Sequence, residues 1–189
     1  VSDNFSNSGA PADPGGTRVD DKSDKEGNPI GTKPWMLDGS EGDFHMSARI
    51  KTTSPSGTIF MKSLPGGKFR QGNDEEGQPK ALFIRDGHAV CDVGWTGSVF
   101  GRTRVDDGKW HDVGCKYSGK RVETGEYVVV VDGKEDSEYG LRAVKDNPKH
   151  ILQSGNWADL IGQPSWSNSF QGEIENREFE YLNEDGHVK

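Results

Sequence analysis

Apolar and polar side chains alternate along short stretches of this chain, and glycine-containing turns separate those stretches. Between Phe44 and Lys51, an apolar residue occupies every second position, which predicts a strand with one buried face. Asp86-Gly87 and Asp132-Gly133 each close an apolar run and predict two-residue hairpin turns. We find no apolar stripe with the 3.6-residue period of a helix. The pattern therefore predicts an all-β sandwich or barrel.

The segments outside these landmarks predict the domain organisation. Further strands are expected at 58–62, 81–85, 88–95, 110–117, 126–132, 151–154, 158–162 and 170–182. The run at 126–132 contains consecutive valines and predicts a central strand buried on both faces. A glycine-rich crossover is expected before Trp110. Residues 1–34 lack apolar periodicity and predict an extended arm or linker, followed by one domain at 35–189.

Charge and length exclude some classes of function. The chain has 189 residues, a net charge of −8 and 26 glycines. An acidic chain argues against binding nucleic acid, because phosphate contacts need clustered lysine and arginine. No apolar run approaches the ~20 residues of a membrane span. We expect one domain, part of a larger secreted protein, with an acidic surface that suits a neutral glycan or a divalent cation.

The chain contains two cysteines, Cys91 and Cys115. Each shares the strand parity of neighbouring apolar residues, so both thiols are expected on apolar strand faces. Two interpretations remain: a pair of buried free thiols, or a disulfide across strands or sheets. We predict the disulfide, which would stabilise the fold by roughly 3 kcal/mol and would place the protein outside a reducing cytosol.

Four segments together resemble a known family. The segments are Trp35–Ser40 with the strand after it, Asp107–Val113, Val128–Gly133 and Phe170–Glu175. Similar segments occur in the same order in laminin-G-like domains of the concanavalin A-like superfamily. The resemblance implies an antiparallel two-sheet jelly-roll sandwich. It also implies glycan binding on the concave face or rim loops, and frequent calcium.

The resemblance assigns roles to two further residues. It implies that Trp110 belongs to the core. Arg177 stands where the family has an aliphatic residue, so the last strand is expected to bulge there or to present Arg177 to a cleft.

Three tryptophans lie beside small or amide side chains, in segments expected to be loops or strand ends. Indole stacks on the C–H face of a sugar, while amides and guanidinium groups bind its hydroxyls. The alternative is that these indoles close the ends of the sandwich. The predicted ligand-binding set is Trp95, Arg102, Arg104, Trp157, Gln163, Trp166 and Asn168.

Arg102 and Arg104 share one face of an extended segment. They are predicted to contact a carboxylate or sulfate of an anionic polysaccharide. The alternative is pairing with Asp92, Asp106 or Asp107 at the surface.

An acidic turn is the candidate metal site. Asp38, Glu41 and Asp43 lie close in sequence, and Glu173 approaches them if the sandwich closes. Oxygen ligands in a turn suit Ca²⁺, so calcium is the expected cofactor; the alternative is a solvated acidic turn.

Two enzyme classes were weighed on the same scaffold. Glu173 and Glu175 share a strand face as a retaining glycosidase requires, but Glu178 has the opposite parity unless the strand bulges. A lyase needs a base such as histidine or tyrosine, and no histidine lies in a motif that demands it. We therefore predict a non-catalytic, lectin-like carbohydrate-binding module. The alternatives are a protein-binding adhesion domain and a polysaccharide lyase or glycoside hydrolase.

Overall fold

The computed structural model describes residues 7–8, 17–18, 42–63, 80–92, 97–118, 126–137, 151–154 and 170–182. Within these ranges the secondary structure consists of strands joined by turns. No helix in the described part of the chain has the length and apolar character needed to cross a membrane. The strands are β1 Asn7–Ser8, β2 Thr17–Arg18, β3 Phe44–Lys51, β4 Gly57–Ser63, β5 Lys80–Arg85, β6 His88–Asp92, β7 Ser98–Arg104, β8 Trp110–Ser118, β9 Glu126–Val131, β10 Lys134–Glu135, β11 Ile151–Ser154 and β12 Glu173–Tyr181.

The strands form two antiparallel sheets of six strands each. Sheet A has the order β1-β12-β3-β8-β9-β10, and sheet B has the order β2-β11-β4-β5-β6-β7. Half of the neighbouring pairs join strands that are distant in sequence, as in a jelly roll. The predicted all-β sandwich is confirmed. Both sheets begin with a short strand from the predicted N-terminal arm, β1 paired with β12 and β2 paired with β11.

The core lies between the sheets and follows the period-two pattern. In β3, Phe44, Met46, Ala48 and Ile50 are buried, while the intervening residues are half-buried or exposed. Sheet B faces them with alternate residues of β5 and β6, which belong to the same core cluster. Burial of this apolar surface is the main favourable term in folding.

Cys91 and Cys115 form a disulfide that joins the two sheets. Cys91 lies in β6 of sheet B and Cys115 in β8 of sheet A. Their Cα atoms are 5.7 Å apart, inside the normal range for a disulfide, and each residue is only 1% exposed. The predicted disulfide is confirmed.

Both predicted aspartate-glycine turns are present. Asp86 and Gly87, and likewise Asp132 and Gly133, all have positive φ angles, as a type I′ hairpin turn requires. Glycine adopts this conformation without steric cost, and aspartate is one of the few other residues that tolerates it.

Two predictions about strands were wrong. The segment before Trp110 is not only a crossover, because it contains β7 at the edge of sheet B. The valine-rich β9 is not central, since only the two-residue β10 lies beyond it in sheet A. Its outward side chains differ, with Val128 buried and Val130 half-buried. Valine alone does not place a strand at the middle of a sheet.

Candidate functional site

A cleft lies on the outer face of sheet A, where β3, β8 and β12 run side by side. Its volume is about 300 Å³, at the small end of the range for ligand pockets. We call it the sheet A cleft. The residues that line it are His45, Ser47, Ala48, Arg49, Asp112, Val113, Gly114, Val130, Gly133, Asn176 and Glu178.

The floor of the cleft depends on Gly114. His45 and Ser47 of β3 project outward beside it, because the alternate residues of that strand are buried in the core. A Cβ atom on Gly114 would lie 2.5 Å from Nε2 of His45, so any side chain there would displace the imidazole. Glycine within a strand often marks such a close approach.

The imidazole of His45 is held with one nitrogen lacking a partner. Its Nε2 atom is buried and has no hydrogen-bond partner among the described residues. Burial, aided by the nearby charge of Lys116, lowers the pKa of His45, so the ring is neutral at pH 7. A buried polar atom without a partner is costly, and a ligand that hydrogen-bonds to it is one way to offset that cost.

A bulge in β12 brings Glu178 to the cleft. Glu175 pairs with Arg49 and Glu178 pairs with Ser47, so β12 holds one extra residue between these pairs. Asn176, inside the bulge, has a φ angle of 50°, a conformation that asparagine tolerates better than most residues. The bulge predicted near Arg177 is confirmed. It returns Glu178 to the same outward face as Glu173 and Glu175.

Two carboxylates of the cleft influence each other. Burial raises the pKa of Glu178, the charges of Glu180 and Asp112 raise it further, and the positive charge of the N-terminus lowers it by less. Asp112 pairs with Arg49 in the β3–β8 ladder, and its backbone N–H donates to Oδ1 of Asp132 at 2.9 Å. The cleft therefore contains carboxylates whose charges are close enough to repel, a condition common at binding and catalytic sites.

Arg49, which lines the cleft, contacts Trp110. The guanidinium carbon of Arg49 lies 5.2 Å from the centre of the Trp110 ring, within the range of a cation–π contact. Arg49 Nη1 also lies 3.6 Å from Oε1 of Glu175. Trp110 is half-buried and is absent from the core cluster. Its expected core position was wrong, because its parity in β8 is opposite to that of the inward Val113 and Cys115.

A second histidine nearby is fully partnered. Nδ1 of His111 lies 2.9 Å from Oδ2 of Asp132, and Nε2 lies 3.1 Å from Oδ1 of Asp107. Although burial alone would lower the pKa of His111, these hydrogen bonds and charges raise it overall. Hydrogen bonding by Lys109 N–H and His111 lowers the pKa of Asp107. His111 thus joins the start of β8 to the turn after β9.

Most of the predicted glycan-binding residues lie outside the described residues: Trp95, Trp157, Gln163, Trp166 and Asn168. The other two, Arg102 and Arg104, are exposed on β7. Arg104 forms a forked ion pair with Asp106, with Nε–Oδ1 at 3.0 Å and Nη2–Oδ2 at 2.7 Å, which raises the pKa of Arg104. For Arg104 the structure shows the surface pairing considered as the alternative. Both arginines lie in sheet B, apart from the sheet A cleft.

The predicted calcium ligands are not brought together as a set. Asp38 and Glu41 lie outside the described residues. Asp43 directly precedes β3, whereas Glu173 pairs with Lys51 at the other end of that strand, about 25 Å away at ~3.3 Å per residue. In the described part of the chain, no cluster of three or more His, Cys, Asp or Glu side chains could hold a metal ion. Glu173 therefore does not fit one site with Asp43.

Sequence reasoning missed Ser47, Asp112 and Gly114, and it considered His45 only as an unplaced base. A weak signal was present: Gly114 interrupts an otherwise well-patterned strand, which is typical of a close approach. The other residues of the cleft come together only through the pairing register of three strands, which decides which outward side chains become neighbours.

The family profile described as "Laminin G domain" matches residues 50–180, more than half of the chain. The chain belongs to the laminin G domain family. The matched region of this laminin G domain includes β8, β9 and all of β12 except its last residue, but only the last two residues of β3. The β3 residues that line the cleft precede the matched region. No curated protein matches the chain significantly.

Solved structures with a similar fold include two of animal origin and one bacterial. Mouse laminin alpha1 chain, domains LG4-5, has 16% identity and a TM-score of 0.48, over 95% of this laminin G domain and 45% of that chain. Ruminococcus gnavus IT-sialidase CBM40 has 16% identity and a TM-score of 0.49, over 76% of this domain and 79% of that chain. The native heptameric SAP-like pentraxin from Limulus polyphemus has 14% identity and a TM-score of 0.48, over 91% of this domain and 73% of that chain. The domain spans less than half of the laminin structure.

Proposed function

We propose that this laminin G domain is a non-catalytic carbohydrate-binding module and that its sugar ligand lies in the sheet A cleft. The supporting observation is the mixture of groups that faces the cleft. Ser47 and Arg49 supply donors, Asp112 and Glu178 supply acceptors, and Val130 supplies an aliphatic surface. Sugars present alternating hydroxyls and C–H faces, and pockets that bind polar ligands combine apolar surface with a few placed polar groups.

The rigidity of the site also favours binding. The polar groups project from adjacent, fully paired strands rather than from separate loops, so little conformational entropy is lost when a ligand binds. The covalent link at Cys115, next to Gly114, further fixes β8 against sheet B. A buried disulfide also supports our proposal that the domain functions outside the cell, in an oxidising environment.

A glycan array followed by isothermal titration tests this proposal. Asp112→Asn removes a charge from the cleft and is expected to weaken binding of the best array glycan by about tenfold, the cost of losing one charged hydrogen bond. Asp86→Asn is the matched control, because Asp86 lies in an exposed sheet B turn and asparagine tolerates its left-handed backbone. Unchanged affinity in both variants would contradict binding at the cleft.

The same titration compares the cleft with the tryptophan site. Trp157→Ala and Trp166→Ala test the predicted stacking residues, with an expected loss of ~1–3 kcal/mol for an anchoring aromatic. Loss in these variants but not in Asp112→Asn would assign binding to the tryptophans. If the domain binds none of the glycans on the array, the protein-binding alternative is favoured. If it releases reducing ends or unsaturated uronates from a polysaccharide, an enzyme is favoured.

Calcium binding by Asp38, Glu41 and Asp43 stays a proposal. A metal that binds only the folded state raises the melting temperature by mass action. We expect added Ca²⁺ to raise the melting temperature of the wild type, EDTA to reverse the effect, and Asp43→Asn to reduce it. A melting temperature insensitive to both reagents would remove calcium from the proposal.

A further inference from the structure

Two of the side chains that line the cleft, Asp112 and Glu178, are carboxylates. Among the described residues, no cation lies within ion-pair distance of the Asp112 or Glu178 carboxylate, although both line the cleft. The neighbouring cation Arg49 contacts Glu175 and the Trp110 ring instead. Ionised carboxylates only accept hydrogen bonds, so a ligand in this cleft must donate.

The charge around the cleft disfavours an anionic ligand. The negative charges of Asp112 and Glu180 lie close enough to Glu178 to raise its pKa. Glu175 occupies the nearest guanidinium, which leaves less positive charge to receive a sulfate or a uronate. A second negative group brought among these carboxylates would be repelled, and such repulsion is an effective source of specificity.

The remaining groups favour hydroxyls over ammonium. Arg49 and Ser47 present donors at the same cleft, and an ammonium group has no lone pair with which to accept from them. A hydroxyl both donates and accepts, so it suits carboxylates on one side and these donors on the other. Val130, half-buried at the cleft, suits the C–H face of an uncharged sugar ring.

We propose that the sheet A cleft selects an uncharged, hydroxyl-bearing sugar and rejects uronic, sialylated and sulfated ones, with Glu178 and Asp112 accepting from its hydroxyls. This specificity rests on the proposed function of the same cleft. The β12 bulge makes Glu178 the specificity-determining residue, because without the bulge its side chain would point into the core.

The test uses three probe sets of equal length: neutral oligosaccharides of glucose, galactose, mannose or N-acetylglucosamine; uronate and sulfated oligosaccharides; and glucosamine oligomers with free amines. For the wild type we expect the tightest neutral probe to bind at least tenfold better than any charged probe at pH 7. Glu178→Gln keeps the size of the side chain and removes its charge. It is expected to weaken neutral binding about tenfold and to narrow the discrimination against anionic probes.

Glu173→Gln is the matched control, since Glu173 lies on the same face of β12 beside Lys51 and outside the cleft. It should leave both affinity and discrimination unchanged. Suppose that the wild type binds anionic or amine-bearing probes more tightly than neutral ones, and that Asp112→Asn abolishes this binding. This result would overturn the proposed specificity but would still place the ligand in the cleft. Binding of neutral probes that neither Asp112→Asn nor Glu178→Gln alters would instead overturn the site itself. Circular dichroism of each variant establishes that it folds.

Discussion

Two histidines on either side of Asp112 have opposite surroundings. His111 lies between the carboxylates of Asp107 and Asp132, with a partner for each ring nitrogen. His45 lies over Gly114 with a buried Nε2 that has no partner among the described residues. A satisfied polar network stabilises a structure, whereas an unsatisfied one costs stability and is kept where it serves another purpose. The comparison therefore separates a structural site from a candidate binding site on two neighbouring strands of sheet A.

Removing the disulfide is expected to have the largest effect on the stability of the fold that carries both sites. Cys91→Ala with Cys115→Ala should lower the free energy of unfolding by roughly 3 kcal/mol, because the crosslink restricts the unfolded chain. Urea unfolding measures this loss. Glycan affinity measured well below the melting temperature should change little, because the strands that form the cleft are paired independently of the sulfurs. A large loss of affinity in the folded variant would contradict that independence.

Replacing each histidine by glutamine gives the next largest effect and sharpens the comparison. His111→Gln is expected to lower the free energy of unfolding by about 1–2 kcal/mol, the value of the hydrogen bonds it loses, with unchanged glycan affinity. His45→Gln is expected to change stability less and to weaken glycan binding. Parallel chemical unfolding and titration measure both quantities. Reversed results would mean that the structural and binding sites had been assigned the wrong way round.

Stability should depend on pH with opposite signs at the two histidines. The folded-state pKa of His111 is raised above 6.5, so its contribution is complete below pH 6.5 and is lost as pH rises through the raised pKa. The folded-state pKa of His45 is lowered below 6.5, so its contribution is complete above pH 6.5 and is lost as pH falls through the lowered pKa.

The difference in unfolding free energy between wild type and each glutamine variant isolates these contributions. Urea unfolding at a series of pH values should give a difference curve that falls with pH for His111→Gln and rises with pH for His45→Gln. Subtracting the variant removes the titration of carboxylates common to both proteins. Difference curves that slope in the same direction with pH would contradict the surroundings assigned to His111 and His45.

The smallest expected effect lies in sheet B. Arg104→Gln breaks a well-formed pair with Asp106, but its guanidinium is exposed, and solvent-exposed pairs contribute little to stability. We expect the free energy of unfolding to change less than in any of the variants above. Affinity for an anionic oligosaccharide should also be unchanged if Arg104 is committed to Asp106; a clear loss would restore the predicted role of Arg104 in binding.

The sequence predicted features that depend on neighbouring residues. The Asp86-Gly87 turn and the buried positions of β3 follow from local backbone preference and period-two patterning. β7 was missed because Gly97 and Gly101 resemble loop residues and most of the outward side chains, Phe100 excepted, are polar. The cleft could not be predicted, because His45, Asp112 and Glu178 meet only through the register of three strands and the bulge in one of them.

Asp136 has a consequence for how the domain behaves at high concentration. Its carboxylate and carbonyl oxygens accept the backbone N–H of Arg102, and its carboxylate also accepts that of Thr103. Both amides belong to β7, the last strand of sheet B, where an exposed edge would otherwise offer a template for another chain. The Asp136 residue thus occupies two of the donors that fibril-like edge-to-edge assembly would use. Asp136→Ala is therefore the substitution expected to make this domain more prone to aggregate.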